Sequence, residues 1–476
     1  MVGNWKPKPA DVVVRRPRRD QLRPVHIELT PPREPSAILN PPLILIYAFV
    51  ALIGLGTLLL LLPFSHHGDG FAPFVDALFT ATSAATVTGL VTQDTGTYWT
   101  VPGQAVIIAL MFMGGLGIMT IASTLFVLAG QRISLTQRLV MRETVGTAAL
   151  TDIARVTVRI VLWAVAIQVV GFLILSMRFA FIYPPWEAVW HGLFQGVSGF
   201  NNAGFVSFPQ AQSLLEFRHD RIVIGTISVL ILLGSLSYWV IDDVVKRRRF
   251  SKLTLNTKLV LVFTTILLIV GAIGFYLSEL GNEKTFGNLS ATEQVIDSAF
   301  HSVNRTAGFS TGGFGKTREE TNLFFTALMF IGGASASVAG GIKVNTFALV
   351  VLAILASVQG RQRTTAFGRR VPQVQVQWAL VVMSLGFVGT SVAALLLAFI
   401  ETEFSFLDLL FEAVSAFGTV GFSTGITGDL STPSHILLVV TMFIGRVVPP
   451  MAIVIALSRP DQPDAYRYTK EGVLMG

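Results

Sequence analysis

Four stretches of this chain carry residue types from which a cation site can be built out of main chain alone. Phe79–Gly89 reads FTATSAATVTG, Phe194–Gly204 reads FQGVSGFNNAG, Ser298–Gly308 reads SAFHSVNRTAG and Phe411–Gly421 reads FEAVSAFGTVG. Each sets a serine six residues ahead of a glycine: Ser83/Gly89, Ser198/Gly204, Ser302/Gly308 and Ser415/Gly421. A bulky apolar residue follows each glycine, namely Leu90, Phe205, Phe309 and Phe422. One such pair carries no information, since serine and glycine are common. Four of them, spaced by roughly 110 residues and each set between apolar runs, mark a fourfold internal repeat.

A short helix that stops inside a membrane leaves unpaired carbonyls, with partial negative charge, at its C-terminal end. Non-helical backbone at that depth is tolerated only where it is buried or lines a water-filled cavity. Four such loops around a common axis would aim carbonyls at one point, where they can replace the hydration shell of a cation. Glycine lets the backbone approach closely and take conformations barred to other residues. No aspartate or glutamate lies within Ser83–Gly89, Ser198–Gly204, Ser302–Gly308 or Ser415–Gly421. A carboxylate ring of the calcium or sodium type is thereby disfavoured, and a carbonyl ring for a weakly hydrated monovalent cation fits. The competing reading makes the glycines mere spacers in four tight helix contacts; their shared register weighs against it.

The elements that must position these loops follow from composition. Of 476 residues, 52% are hydrophobic and 13% charged, well under the roughly 25% charged of soluble domains, so the implied solvent is the bilayer. With no cysteine, disulfides, thiolate metal sites and cysteine nucleophiles are excluded. Leu43–Leu62 is an uncharged run long enough to cross the hydrocarbon core, Pro73–Ala84 is a shorter apolar piece, and Gln104–Ala129 is a second span. The long–short–long pattern recurs as Ile153–Met177, Trp186–Val197 and Arg221–Ile241, then as Thr257–Leu280, Ala291–Ser302 and Asn322–Ala356. It recurs last as Gln377–Ile400, Phe406–Phe417 and His435–Leu457. The expected fold class is an all-α membrane protein: four tandem helix–pore-loop–helix units around a pseudo-fourfold pore, with eight spans. The expected division is a basic cytoplasmic tail at 1–42, which has no signal-peptide pattern and suits a mostly disordered arm. Repeats follow at 43–130, 131–245, 246–356 (with a broken second helix) and 357–460, and a cytoplasmic tail at 461–476.

Charge placement orients the chain. The two tails and three inter-repeat linkers hold 26 of the 35 Lys and Arg residues, the opposite loops and adjoining loop segments hold 7, and Lys343 and Arg446 lie inside apolar spans. The positive-inside rule then puts both termini in the cytoplasm of a cell (plasma or inner) membrane. The net charge of +7 and the KRRR run Lys246–Arg249 are accounted for as topology determinants, without nucleic acid as a partner.

The loops TATSAATVTGL, GVSGFNNAGF, VNRTAGFST and AVSAFGTVGFSTG resemble the four filter loops of the Trk/Ktr/HKT superfamily of potassium transporters, and the resemblance covers about Pro41–Leu457. With no extra pair of spans ahead of the first unit, the chain is more similar to the Ktr membrane subunits than to the longer TrkH forms. The resemblance implies potassium, with sodium as a second candidate, held by backbone carbonyls at Thr88, Gly89, Ala203, Gly204, Ala307, Gly308, Val420 and Gly421. Thr86, Val87, Asn201, Asn202, Arg305, Thr306, Gly418 and Thr419 flank that filter. It further implies a homodimer with a pore in each subunit, no covalent cofactor, and a cytoplasmic ring of RCK domains of the KtrA/TrkA kind, through which alone a nucleotide would act.

Ile331–Val344 reads IGGASASVAGGIKV in mid-span. Gly332, Gly333, Gly340 and Gly341 each cost a helix about 1 kcal/mol relative to alanine, and Ser335 and Ser337 offer competing hydrogen bonds. The segment is expected to unwind, either as close packing of small residues or as a pore-lining loop beside Lys343. In the resembled family a GGIK-type loop here is the intramembrane gate. Arg446 sits midway along the last span, where an arginine costs roughly 2.5–3.5 kcal/mol or more and must face protein or water. It reads as a pore cation tuning ion occupancy, or as a partner for loop carbonyls or an acid such as Glu412. The surrounding GRVVPPM has Val448 and Pro450 where the family usually shows GRVGPLT. Asp76 and Asp408, at the starts of short helices, read as N-terminal caps in preference to cation attractors at the outer mouth, and Trp99, Trp186 and Trp190 as interfacial anchors.

Two other function classes are testable on the residues. Gly196-Val197-Ser198-Gly199 spells the GxSG of intramembrane serine proteases, whose serine needs a histidine. His191 lies on the same short helix and His301 in another repeat's loop, and Ser198 is simply the repeat serine, so the chain is not expected to be an enzyme. A coupled secondary transporter for another small solute is the stronger rival, since broken helices mark those too. Inverted halves would accompany it, whereas these repeats run four times in one sense.

Overall fold

A computed structural model describes residues 41–117, 153–209, 213–287, 289–361 and 363–458, with side chains left undescribed at 41–45, 153–156 and 448–458. The expectations for both tails, for most of the first linker and for the second half of the Gln104–Ala129 span lie outside those residues.

The chain runs α1 (Pro41–Leu61), α2 (Phe74–Ala85) and α3 (Val101–Gly115), then α4 (Ile153–Phe179), α5 (Pro185–Phe200) and α6 (Arg221–Ser235). A cross-helix α7 (Tyr238–Arg247) leads to α8 (Leu255–Glu279), α9 (Ala291–Asn304), α10 (Glu319–Met329) and α11 (Val344–Val358). A hairpin, β1 (Thr365–Ala366) with β2 (Arg369–Arg370), precedes α12 (Gln373–Ile400), α13 (Phe406–Gly418) and α14 (Thr432–Ser458). In each unit a long helix, a short one and a second long or broken one pack together, and α2, α5, α9 and α13 form the inner layer. Local chemistry starts them. Pro185 sits in the first turn of α5, Ser290 and Glu293 form a capping box on α9, and the Ser405 hydroxyl accepts the Asp408 amide at the head of α13.

Burial separates the layers. Phe79, Phe194 and Phe411 on the short helices are fully buried, while α4 exposes Leu162, Val170, Leu173 and Met177 and α12 exposes Leu385, Phe387 and Phe399. Such an apolar rim loses roughly 25 cal/mol per Å² in water and nothing in lipid. Among the described residues, Thr157–Phe179, Leu255–Glu279 and Gln373–Ile400 are long and apolar enough to cross a membrane unaided.

Of the second helices, Arg221–Ile241 departs from the expected uninterrupted span, whereas the break expected within Asn322–Ala356 is present. Arg221–Ile241 is not one helix: α6 ends at Ser235 and α7 leaves at 95°. The Leu236–Ser237 break is extended, and α7 carries the alternating polar and apolar faces of a helix lying along a surface. Asn322–Ala356 is interrupted between Met329 and Val344. Trp99 is fully buried, with Tyr98 edge-on to its ring, which overturns its reading as an interfacial anchor. Trp186 is exposed, and Trp190 donates its indole N–H to Gln104 at 2.6 Å.

Three second helices bring a glycine against the end of their own repeat's short helix. A β-carbon on Gly114 would lie 1.8 Å from the Ala85 carbonyl oxygen, on Gly234 1.8 Å from that of Phe200, and on Gly445 1.9 Å from that of Phe417. Gly445→Ala is therefore expected to destabilise by about 1–3 kcal/mol or more. Gly389→Ala, with nothing within 4 Å of the new methyl, should be neutral or stabilise by up to about 1 kcal/mol. Thermal unfolding of the two variants in detergent checks the contrast.

Candidate functional site

The repeat serine acts twice on the turn that ends the short helix in the first and fourth repeats, and once in the second. Its carbonyl accepts the amide of the residue before the glycine in three repeats: Thr88 to Ser83 (2.7 Å), Ala203 to Ser198 (2.9 Å) and Val420 to Ser415 (2.9 Å). Forming that turn puts the preceding residue in the left-handed region, with φ of 52° at Val87, 56° at Asn202 and 47° at Thr419. The serine hydroxyl then accepts the glycine amide itself, at 3.0 Å for Gly89 and 3.1 Å for Gly421. In the second repeat the Ser198 hydroxyl donates to the Phe205 carbonyl at 2.8 Å instead. The third repeat is built differently. The amides of Ala307 and Gly308 both donate to the Asn304 carbonyl (2.8 and 2.9 Å), and the Ser302 hydroxyl donates to Leu268 on α8 (2.7 Å).

The four turns meet. A β-carbon on Gly89 would fall 2.2 Å from the Ala203 carbonyl oxygen, on Gly204 2.5 Å from that of Ala307, on Gly308 2.3 Å from that of Val420, and on Gly421 2.1 Å from that of Thr88. The contacts form a closed circuit in chain order, each glycine against the carbonyl just ahead of the next glycine. All four glycines have φ between 72° and 96°, so any other residue would be both strained and without room. Side chains tie neighbouring turns as well. The Asn202 amide lies 2.9 Å from the Thr306 hydroxyl, and with its oxygen turned there its nitrogen reaches the Phe200 and Ile231 carbonyls at 3.2 and 3.3 Å. The Thr86 and Thr88 hydroxyls are 2.7 Å apart, and Asn201 donates to the Val197 carbonyl at 2.9 Å.

The break between α10 and α11 lies directly against these turns. Its neck is a parallel bridge of Ile331 and Ile342, with the Gly332 amide on the Ile342 carbonyl (2.8 Å) and the Val344 amide on Gly333 (2.9 Å). Its far side is held by the end of α6: Ala334 donates to Ser235 (2.9 Å) and Val338 to Gly234 (3.2 Å). Gly340 faces the fourth turn so closely that a β-carbon there would sit 1.7 Å from the Thr419 hydroxyl, and one on Gly341 3.3 Å from the Gly418 carbonyl. The Ser335 amide donates to Asn345 at 3.1 Å, and the Ser337 hydroxyl is enclosed. Three cations sit on the segment's carbonyls: Lys343 on Ala339, Arg305 on Ile331, and Arg446 on Val338 at 2.6 Å. Arg446 also donates to Gly114 at the end of α3, at 2.8 Å. Of the roles open to it from sequence, the structure shows the partner to loop carbonyls.

Glu412 is not Arg446's partner. It accepts from Ser423 (2.5 Å), Thr427 (2.9 Å) and the Thr424 amide (3.2 Å), pinning the strand that leaves the fourth turn. Asp76 does the same for the first, accepting from Thr92 at 2.8 Å and Gln93 at 3.4 Å. Neither it nor Asp408 is the expected N-cap: both lie in the first turn of their helices, behind the N-caps Pro73 and Ser405, and Asp408 accepts from Ser405 at 2.7 Å. His191 and Ser207 (2.8 Å), and Asp297 with Thr311, complete the set.

Comparison with known proteins then decides the family. The model of the TrkH family, cation transport protein, matches residues 27–463. This chain belongs to the TrkH family. It is 36% identical over 440 residues to the Ktr system potassium uptake protein B of Bacillus subtilis, covering 92% of this chain and 97% of that protein. It is 34% identical over 443 residues to the potassium/sodium uptake protein NtpJ of Enterococcus hirae, covering 92% and 98%. The crystal structure of the potassium transporter TrkH from Vibrio parahaemolyticus superposes with a TM-score of 0.68 at 19% identity, over 91% of this chain and 88% of that one, a likeness of fold. TrkH-family membership and the apolar helices make the chain a multi-pass membrane protein of a transport family, not of an enzyme family.

The sequence reading missed the glycines of the second helices and the loop anchors. The signal for the first was present: MGG, LGS, IGG and IGR end 25 to 31 residues after the loop glycine of each unit (Gly115, Ser235, Gly333, Arg446). The serine bonds generate a testable asymmetry. Ser415→Ala leaves the Gly421 amide without its acceptor, about 1–3 kcal/mol for a buried donor, whereas Ser302→Ala leaves Gly308 as it was. Cation uptake by the first variant should fall at least several-fold further than by the second, in vesicles of matched protein content.

Proposed function

We propose that the chain carries potassium into the cell through a filter made by the carbonyls of Thr88, Ala203, Ala307 and Val420 with those of Gly89, Gly204, Gly308 and Gly421. The observation that carries this reading is the closed circuit of glycine-to-carbonyl contacts, supported by relatives that are named potassium or potassium/sodium uptake proteins. Carbonyl dipoles at the C-terminal ends of four short helices offer partial negative charge without a fixed carboxylate. That suits an ion that gives up its water readily and must leave again. Thr86, Val87, Asn201, Asn202, Arg305, Thr306, Gly418 and Thr419 would hold the ring's inner rim.

The segment between α10 and α11 is, in this reading, the gate. Gly332, Gly333, Gly340 and Gly341 allow it to lie against the fourth turn, and Lys343 and Arg446 hold its carbonyls. The units at 43–130, 131–245, 246–356 and 357–460 are then the four arms of one pore, with the tails 1–42 and 461–476 and the linkers in the cytoplasm of the cell membrane. A homodimer with a cytoplasmic RCK-domain ring fits a Ktr-type subunit; nucleotide would act on that ring alone. The same-sense circuit disfavours the rival solute transporter, because inverted halves would reverse the order of contact midway.

Purified protein in proteoliposomes should take up radioactive rubidium down a potassium gradient, and Gly421→Ala should abolish that uptake, as its methyl would meet the Thr88 oxygen at 2.1 Å. Exchange of an organic solute without rubidium uptake would remove the reading. Shortening the gate by Ala334–Ala339 should raise rubidium flux without the regulatory ring several-fold, and Arg446→Gln should raise it in the same direction. Unchanged flux in both would separate the segment from gating.

A further inference from the structure

The third turn is the odd one of the four: main chain at Asn304 holds its amides, and the side chain next to it is bonded to the gate. In the first and fourth repeats the serine hydroxyl fixes the glycine amide. In the third, Ser302 is turned away to Leu268, and Thr306 is absent from the residues with positive φ that mark the other three turns. The residue that ties this turn to the interrupted segment is Arg305, between α9 and Thr306. Its side chain is 3% exposed, and one terminal nitrogen donates to the Ile331 carbonyl and, at 3.5 Å, to that of Gly332. Its Nε is buried without a partner. Ile331 and Gly332 form the neck of the interrupted segment, bridged to Ile342. Two residues on from Arg305, the Ala307 carbonyl faces Gly204, and Thr306 reaches Asn202.

We propose that Arg305 is a positioning residue that couples the third carbonyl of the ring to the neck of the gate, so that the two change state together. The proposal rests on the reading of these parts as filter and gate. If the neck moves, a buried guanidinium loses both carbonyls it donates to, and a buried charge without acceptors is strongly penalised. The chain avoids this by letting Arg305 follow, which displaces Thr306 and Ala307, or by keeping the neck in place. Such coupling is reciprocal: occupancy of the ring biases the gate as much as the gate biases the ring. The other two cations on the segment, Lys343 and Arg446, hold Ala339 and Val338 at its far side and are not continuous in sequence with any of the four turns.

The absence of cysteine makes a direct test available. A single Ser337→Cys in the full chain, reconstituted in proteoliposomes, reports exposure of the segment through its rate of modification by a water-soluble thiol reagent. With Arg305 present, that rate is expected to differ about fivefold or more between potassium-free and potassium-saturated vesicles. With Arg305→Gln the difference should fall below about twofold, and sodium should compete with rubidium uptake several-fold better. Arg305→Lys, which keeps the charge and a donor, should restore part of the difference and serves as the probe if the glutamine variant does not fold. A potassium effect unchanged in either variant, or absent from the Arg305 chain while rubidium uptake proceeds, overturns the coupling. A stability loss with the potassium effect intact also overturns it, by leaving Arg305 only a structural part. Absence of rubidium uptake in the Arg305 chain would instead strike at the filter reading itself.

Discussion

Close approach of main chain to main chain, at four points where a methyl group would not fit, is the constraint on which the rest of this structure depends. The glycines of the ring permit contact with the next carbonyl, but they cannot enforce it. Enforcement comes from behind, where helix ends abut the α3, α6 and α14 glycines at distances that exclude even alanine. It comes also from the far side, where Asp76, His191, Asp297 and Glu412 pin the departing strands. Backbone dipoles are cheap to supply and hard to aim, and most of the buried polar side chains here serve the aiming. In the proposed filter that would be preorganisation: carbonyls held converged before an ion arrives, so that little ordering remains to be done at binding.

Fourfold repetition does not make four equal parts. The second unit spends its last helix early, turning through 95° at the Leu236–Ser237 break. That leaves the carbonyls of Gly234 and Ser235 free to accept amides of the segment between α10 and α11. The third unit gives up its continuous helix and supplies that segment. The fourth supplies Arg446, which reaches both the segment and the end of α3. Each departure from the repeat thus serves one shared object, and the departures interlock. A chain of four identical units could make the ring but would lack the segment that lies against it.

The parts legible from sequence were those fixed by local pattern. The serine–glycine register, the long–short–long alternation and the glycine-rich interruption all express themselves within a dozen residues. What escaped depended on neighbours distant in the chain. Trp99 looks like any interfacial tryptophan until Tyr98 and the rest of its core close over it. Asp76 stands where a cap would stand, yet its carboxylate points to Thr92 beyond the glycine. The bend after Ser235 follows a run apolar enough to continue, and only the tertiary demand for its carbonyls explains why it stops. Arg446 reads from sequence as a pore cation tuning ion occupancy or as a partner for loop carbonyls or Glu412, and that it meets the carbonyls of Val338 and Gly114 is a matter of packing that no spacing encodes.

The circuit of contacts closes between its first and last members, Gly421 against the carbonyl of Thr88, across about 330 of the 476 residues. Biogenesis inherits that geometry. A ribosome delivers the units one after another, and until the fourth has entered the bilayer the earlier three present an unfinished wall, with polar main chain facing acyl tails. The ring therefore stays open on one side for as long as the last hundred residues take to emerge, and the arrival of the final arm is the event that seals the annulus.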